Sequence, residues 1–370
     1  MSLPAVAFGA IMGVLGSEPE ASEEGHLSHR CFTVVSTVVA VMALASFAAA
    51  QPTNTTAAPR TPWGHPDLQG IWNNSTLTPL QRPEELGDKE FLTEEEAAGI
   101  EQETIDRNER LANRPAERTT AADNVDSRAD GTPGFYNNLW LDRGSTIVPT
   151  RRTSLIVDPP NGRFPSLTPE AHRRATSAEA KRLEDVRRGR LPATSWEELD
   201  LSDRCIWYRG IPSFPTGYNN NYHIVQTPDH VAILQEHIHE VRLIPLDGRA
   251  HIAPTIRQYA GDSRGHWEGD TLVVETISFN DRAIIRGFNG NLSEALHVVE
   301  RFTRVAADKI DYEFIVLDPQ TWTSGWQGSL PMARTEDRMF EYACHEGNYG
   351  LYNILAGSRA EEKAAGEASK

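Results

Sequence analysis

The sequence predicts a mainly β chain, α+β overall, in which an antiparallel barrel or curled sheet follows an N-terminal helical elaboration. Three observations carry this. Between Tyr218 and Cys344, short β-type segments recur at roughly 10–20-residue spacing with turn residues between them. One of them, Val231 to Ile244, reads as a single long strand. Helix-type stretches are confined to Phe91–Asn113 and Leu167–Arg190.

The chain has 370 residues. His29-Arg30 opens an apolar run, Cys31 to Phe47, closed by Ala48-Ala49-Ala50. This is the pattern of a secretory signal cleaved after small residues, before Gln51. No cationic stop-transfer flank follows, only a Pro/Thr/Asn linker, Gln51 to Pro62, which favours a cleaved signal over a membrane anchor. Residues 1–28 are polar and acidic, odd ahead of a signal, so the true start is expected downstream. The resulting division is 1–50 signal peptide and upstream extension, 51–66 linker, 67–200 first strand plus helical and loop elaboration, 201–358 barrel core, and 359–370 disordered tail. The expected location is periplasmic or secreted, with no stable membrane insertion after signal removal.

In order, Gly70-Ile71-Trp72 heads the first strand, and a Gly-x-Trp there is similar to the opening strand of lipocalin-like barrels, where the Trp packs across the barrel bottom. The helix over Phe91–Asn113 has Thr93 as a cap and Glu94-Glu95-Glu96 at its positive end. Residues 116–134 form a polar loop, and the aromatic run Phe135–Trp140 is expected to pack. Thr153–Asp158 is a strand closed by the Pro159-Pro160-Asn161-Gly162 turn, in hairpin fashion. The basic helix over Leu167–Arg190 has Thr168 as cap and Pro169 at its first position. Tyr222–Gln226, Thr271–Phe279, Leu296–Val305, Ile310–Leu317 and Met339–Cys344 are the remaining predicted strands.

Removing residues 1–50 takes one basic and four acidic residues from totals of 36 and 52, leaving 35 against 48, a net charge of −13. With no basic cluster interleaved with aromatics, nucleic acid is excluded as an expected partner. Cys31 leaves with the signal, so Cys205 and Cys344 remain. Two cysteines in an oxidising compartment point to one disulfide, the alternative being two separate buried thiols.

The runs IVQTP, ILQEHIHEVRLIPLDGRAH, GDSRGHWEGDTLVVET, LHVVERFTR, DYEFIVLDPQTWT and EYACHEGNYG lie between Asp67 and Arg359. Together they resemble a family of exported bacterial proteins of unassigned function. The resemblance implies a lipocalin-like, calycin-type β-barrel and brings no activity with it.

Read at a period of two, the Val231–Ile244 segment puts Gln235, His237 and His239 on one face between Val231, Ile233, Val241 and Leu243. Polar side chains on a buried face need partners or a task, so this face is read as a pocket floor. His237-x-His239 is also how many β-scaffold metal sites begin, with a divalent ion such as zinc as the alternative to a cofactor-free site. On the strand from Leu296, Glu300 shares a face with Leu296, Val298 and Phe302; it is either a carboxylate with a raised pKa or one half of an ion pair with a neighbouring arginine. His297 and Arg301 take the other face. Tyr312 lies with Ile310, Phe314 and Val316. His345 follows Cys344 in a Gly-Asn turn. Asn221 and Tyr222 precede a strand, and Trp322 and Trp326 form either an aromatic platform or a core plug.

The site expected from these residues has His237, His239, Glu300, Tyr312 and His345 as catalytic groups. Gln235, Asn221, Tyr222, Arg301, Trp322 and Trp326 would bind substrate. The expected function is a small-molecule enzyme using cofactor-free acid/base chemistry (a lyase, isomerase or hydrolase) on a hydroxylated, partly apolar substrate. The alternatives are a non-catalytic periplasmic carrier and a metal-dependent enzyme using His237 and His239. No nucleotide-binding glycine loop and no Gly-x-Ser-x-Gly elbow occurs, which excludes phosphoryl transfer, Rossmann redox chemistry and α/β-hydrolase chemistry as expectations.

Overall fold

The computed structural model describes residues 58–113, 142, 144–288, 290 and 292–368. The expected export signal, the loop over 116–134 and the aromatic run Phe135–Trp140 lie outside the described residues. The described residues belong to one compact unit, Thr56–Lys370.

Its frame is a ten-stranded, antiparallel sheet. In chain order the strands are β1 (Gly70–Asn73), β2 (Ile156–Asp158), β3 (Asn221–Gln226), β4 (His230–Gln235), β5 (Val241–Pro245), β6 (Asp262–Glu268), β7 (Thr271–Ile277), β8 (His297–Ala306), β9 (Lys309–Leu317) and β10 (Trp326–Thr335). They run β5-β4-β3-β1-β10-β9-β8-β7-β6 across the sheet, with β2 added to β10. The end strands β5 and β6 lie beside each other, but no backbone ladder joins them, so the sheet is not closed.

Alternation decides which side chains face inward. On β8, Val298, Glu300, Phe302 and Arg304 are buried while His297, Val299, Arg301 and Thr303 are half-exposed. On β9, Ile310, Tyr312, Phe314 and Val316 are buried in register with them. This concave face holds the core. Trp322 and Trp326 pack edge to face at 5.7 Å, with Phe164, Phe214, Phe288 and Phe314 around them. Gly328 on β10 gives that cluster its room, since a Cβ there would lie 2.0 Å from the Phe314 ring. Trp72 is fully buried, donates its indole N–H to Leu68 O at 2.8 Å, and carries the Arg304 guanidinium over its ring.

Among the described residues, four α-helices stand outside the sheet. Helix α1 (Glu94–Ala112) opens with a capping box: Thr93 Oγ1 accepts from Glu96 N, and Glu96 accepts from Thr93 N. The basic segment is two helices, α2 (Pro169–Ala175) capped by Thr168 and α3 (Ala178–Arg187) capped by Ser177. Ser177 explains the break, because its hydroxyl accepts from Ala180 N and starts a new helix. Helix α4 (Tyr349–Ala368) runs through most of the segment expected to be a disordered tail. Its Ala, Glu and Lys residues are strong helix formers, and Leu351 and Leu355 dock on Val186, Ala193 and Leu199.

The long strand Val231–Ile244 is a correction. It is a hairpin: β4 and β5 pair antiparallel, and residues 236–240 turn between them. Ile238 makes the turn with a φ of 57°, a costly conformation for a β-branched residue. The turn also changes the inward parity. Val231, Ile233 and Gln235 are buried as expected, but on β5 the inward residues are Arg242 and Ile244, while Val241 and Leu243 are exposed.

Two strands escaped the sequence. On β6 the outward residues are charged and the inward face includes Gly265, where a Cβ would crowd Ile244 and Leu246. On β10, Pro331 argues against a central strand. It is tolerated because β2 covers only Gln327–Gly328 and β1 only Ala333–Thr335, so Pro331 falls in the gap between them. Met339–Cys344 is not a strand, and no return strand follows the turn after β2, which pairs with β10 instead.

Candidate functional site

The concave face encloses a small cavity under the β4–β5 hairpin. Its polar wall is Asn74, Ser213, Tyr222, Gln235, Arg242, Glu300 and Tyr312; Ile224, Ile233, Phe302 and Met332 complete it. The cavity volume is about 20 Å³, room for one or two waters or a hydroxyl-sized group.

Glu300 is the centre of the polar wall. Its carboxylate accepts from Arg242 Nη1 at 3.1 Å and Nη2 at 2.5 Å, and from the Tyr312 hydroxyl at 2.8 Å. Arg242 Nη2 also reaches Ser263 Oγ on β6 at 3.4 Å, and Ser263 is bonded to Thr276. A bidentate, charge-assisted contact of this kind is the geometry in which a buried ion pair holds. Burial opposes the charge on Arg242, but the Glu300 carboxylate outweighs it and raises the guanidinium pKa. Burial, reinforced by Glu300, pushes the Tyr312 phenol well above its usual value.

Other polar groups on the wall are partly satisfied. Tyr222 OH meets Ser213 Oγ at 2.5 Å and accepts from Asn74 Nδ2 at 3.2 Å. Asn74 Oδ1, Gln235 Oε1 and Arg242 Nε are buried and have no hydrogen-bond partner among the described residues. All three belong to residues that line the cavity, and a buried polar atom without a partner calls for one.

A second group surrounds His237, which is 4% exposed. Its ring stacks on Tyr208 at 4.0 Å and on Tyr342 at 4.5 Å, with Tyr218 at 5.5 Å. The disulfide Cys205–Cys344 ties the two flanking tyrosines together, three residues from Tyr208 and two from Tyr342. Burial, then the Arg209 and Arg286 charges, lowers the His237 pKa to about 3. Nδ1 of His237 is buried and has no partner among the described residues.

The expected site residues therefore separate. Gln235, Tyr222, Glu300 and Tyr312 meet at the cavity. His237 sits in the aromatic stack instead, and because 236–240 is a turn, the strand spacing that would aim His237 and His239 the same way is lost. The side chain of His239 lies outside the described residues. Arg301 is on the convex face in an ion pair with Glu268 at 2.8 Å. Asn221 bridges Asn73 and Glu236. Trp322 and Trp326 plug the core, and His345 is exposed in the turn after Cys344. Among the described residues, no group of three His, Cys, Asp or Glu side chains is placed to hold a metal ion, and no helix is long and apolar enough to cross a membrane.

Arg242, Asn74 and Ser213 were not anticipated. Arg242 had a signal: it is the one cation in the apolar segment VRLIP, and a glutamate set among aliphatics on β8 needs a partner. Asn74 and Ser213 sit in irregular backbone, where no periodicity points inward. No family model, no curated protein and no solved structure matches the chain, so its resemblance to the exported family rests on the quoted motifs alone.

Proposed function

We propose that the protein is an exported carrier of a small hydroxylated, partly apolar molecule, held on the concave face of a lipocalin-like barrel. The observation that carries this reading is the set of unpartnered buried atoms, Asn74 Oδ1, Gln235 Oε1 and Arg242 Nε, on a wall completed by aliphatic and aromatic side chains. Two acceptors and one donor suit a hydroxyl-bearing ligand, which both gives and takes hydrogen bonds. A ligand larger than a hydroxyl group enters by displacing a wall residue. Met332 is the adaptable one, being unbranched.

The carrier reading is preferred to acid/base catalysis on proton inventory. A general acid or base works best with a pKa near the operating pH. Tyr312 is shifted well above that range and His237 well below it. Glu300 accepts three hydrogen bonds that hold it in place.

The test is to denature protein taken from its native host, identify the released small molecules by mass spectrometry, and titrate each back by calorimetry. A hydroxylated compound that binds wild type, binds Gln235→Leu at least tenfold more weakly, and is recovered unchanged supports a carrier. Conversion of the compound by wild type returns the enzyme reading, and binding unaffected by Gln235→Leu rejects the cavity.

A further inference from the structure

The turn between β4 and β5 joins two residues of the cavity wall. Gln235 ends β4, Arg242 is the second residue of β5, and both line the cavity. The turn is tied by Gln235 N–H to Glu240 O at 2.8 Å and by Glu236 N–H to Asn221 O at 3.1 Å. His237 and Ile238 are buried within it, and Ile238 has a φ of 57°. A β-branched residue keeps that conformation only where its surroundings impose it. Here the Tyr208 ring lies 4.0 Å from the His237 ring, and the Tyr342 ring lies 4.5 Å from it.

Tyr342 is carried on a strap. Residues 336–348, between β10 and α4, hold no helix or strand, and most of them are exposed. The strap meets the rest of the protein at Tyr342, which stacks on His237 and is hydrogen-bonded to Tyr218. It does so again at Cys344, joined to Cys205, and at Asn348, which donates to Asp203 O and Cys205 Sγ. Cys205 is buried, whereas Cys344 is half-buried between the exposed Ala343 and His345, so the bridge is approached from the strap side.

We propose that the Cys205–Cys344 bridge is a redox switch for the cavity: oxidised, it holds Tyr342 on His237 and so fixes Gln235 and Arg242 around the bound molecule; reduced, it frees the strap and the molecule leaves. The proposal rests on the carrier reading above. The bridge acts as a tether that keeps the Tyr342 ring at a high local concentration beside the imidazole. Once it opens, the ring contact is left to hold a strap that lies mostly in water. The reductant is a dithiol. One of its thiolates attacks the Cys344 sulfur, and Cys205 departs as a thiolate that takes up a proton. The second thiolate of the reductant then displaces Cys344 from the mixed disulfide, and Cys344 is protonated in turn. Two protein thiols and the oxidised dithiol result, a two-electron exchange.

The test compares oxidised protein isolated from its native host with the same sample reduced by dithiothreitol. Amide hydrogen exchange over residues 236–240 is read beside the occupancy of the co-purified compound in native mass spectrometry. Reduction is expected to speed exchange in the turn tenfold or more, leave β8 and β9 unchanged, and remove most of the compound. Oxidised Tyr342→Ala keeps the bridge and should behave like reduced wild type, while Phe340→Ala, exposed on the same strap, should behave like oxidised wild type. If reduction also speeds exchange through β8 and β9, the chain has unfolded generally, and Tyr342→Ala decides. Turn exchange equal in oxidised Tyr342→Ala and wild type, or full retention of the compound by Tyr342→Ala, overturns the switch and leaves the carrier reading standing. Oxidised wild type that carries no compound overturns the carrier reading, and the switch with it.

Discussion

Arg242 and Glu300 face each other across the seam of the sheet, two terminal nitrogens on two carboxylate oxygens, with side chains 5% and 2% exposed. One residue comes from end strand β5 and the other from β8, near the opposite end. With the Arg242 contact to Ser263 on β6, this pair bridges by side chains the gap that no backbone ladder closes.

Breaking the pair should be costly. Glu300→Ala leaves a buried guanidinium uncompensated, and the expected loss is about 3–5 kcal/mol of unfolding free energy. Replacing both partners, Arg242→Met with Glu300→Leu, should recover most of that loss, because two apolar groups bring no unpaired charge. Urea denaturation of the single and double variants checks it. A double variant as unstable as Glu300→Ala would show that the pair's shape, not its charge balance, is what the sheet needs.

Acid should act through His237. In the folded chain its proton is held only below about 3, against an ordinary value of 6.5. Between these values the unfolded chain binds the extra proton, so stability falls as pH is lowered through the window. This one group changes the folding constant by up to about tenfold per pH unit. His237→Phe keeps a flat ring and has no such proton. The stability of wild type relative to His237→Phe should therefore drop between pH 6.5 and lower pH, as read by urea denaturation at each pH. A pH-independent difference would mean that the imidazole is not held neutral.

The disulfide should matter both globally and locally. Cys205 and Cys344 are 139 residues apart, and closing a loop of that length restricts the unfolded chain by about 5 kcal/mol in the loop-entropy treatment. Cys205→Ser with Cys344→Ser should therefore lower stability by several kcal/mol. Any fraction that stays folded should show altered His237 ring resonances, because Tyr208 and Tyr342 lose their shared anchor. Unchanged resonances in that fraction would separate the bridge from the stack.

Two glycines should respond oppositely to alanine. Gly210 has a φ of 79°, and a Cβ there would lie 2.0 Å from the Ile284 carbonyl oxygen, so Gly210→Ala should destabilise strongly. Gly99 is within α1 with open space around its missing Cβ, so Gly99→Ala should stabilise by up to about 1 kcal/mol. Thermal melts of the two variants distinguish the cases.

Alternation made the concave face readable on β8 and β9, where Glu300 and Tyr312 stood out as polar among aliphatics and are now found bonded to each other. It failed at the β4–β5 turn. Glu236 to Glu240 carries no Gly or Pro, and Ile238 turns the chain in a conformation its side chain disfavours. Once the turn is missed, parity slips by one, and Val241 and Leu243 take the inward place that belongs to Arg242. The two missed strands share a cause: Gly265, Gly328 and Pro331 answer to close packing and to a gap between neighbouring strands, which are tertiary facts. The His237 stack was hidden for the same reason, as Tyr342 comes from a segment far along the chain from Tyr208 and Tyr218 and is brought to them partly by the disulfide.

The central claim is that the cavity beside Gln235 and Arg242 holds a small molecule. Mass spectrometry of the intact, natively folded protein, isolated from its own host, tests it most directly. The expected result is a species heavier than the bare chain by the mass of one small compound in wild type and largely absent in Gln235→Leu. Only the bare chain mass in wild type, or the same adduct at the same occupancy in Gln235→Leu, would contradict it.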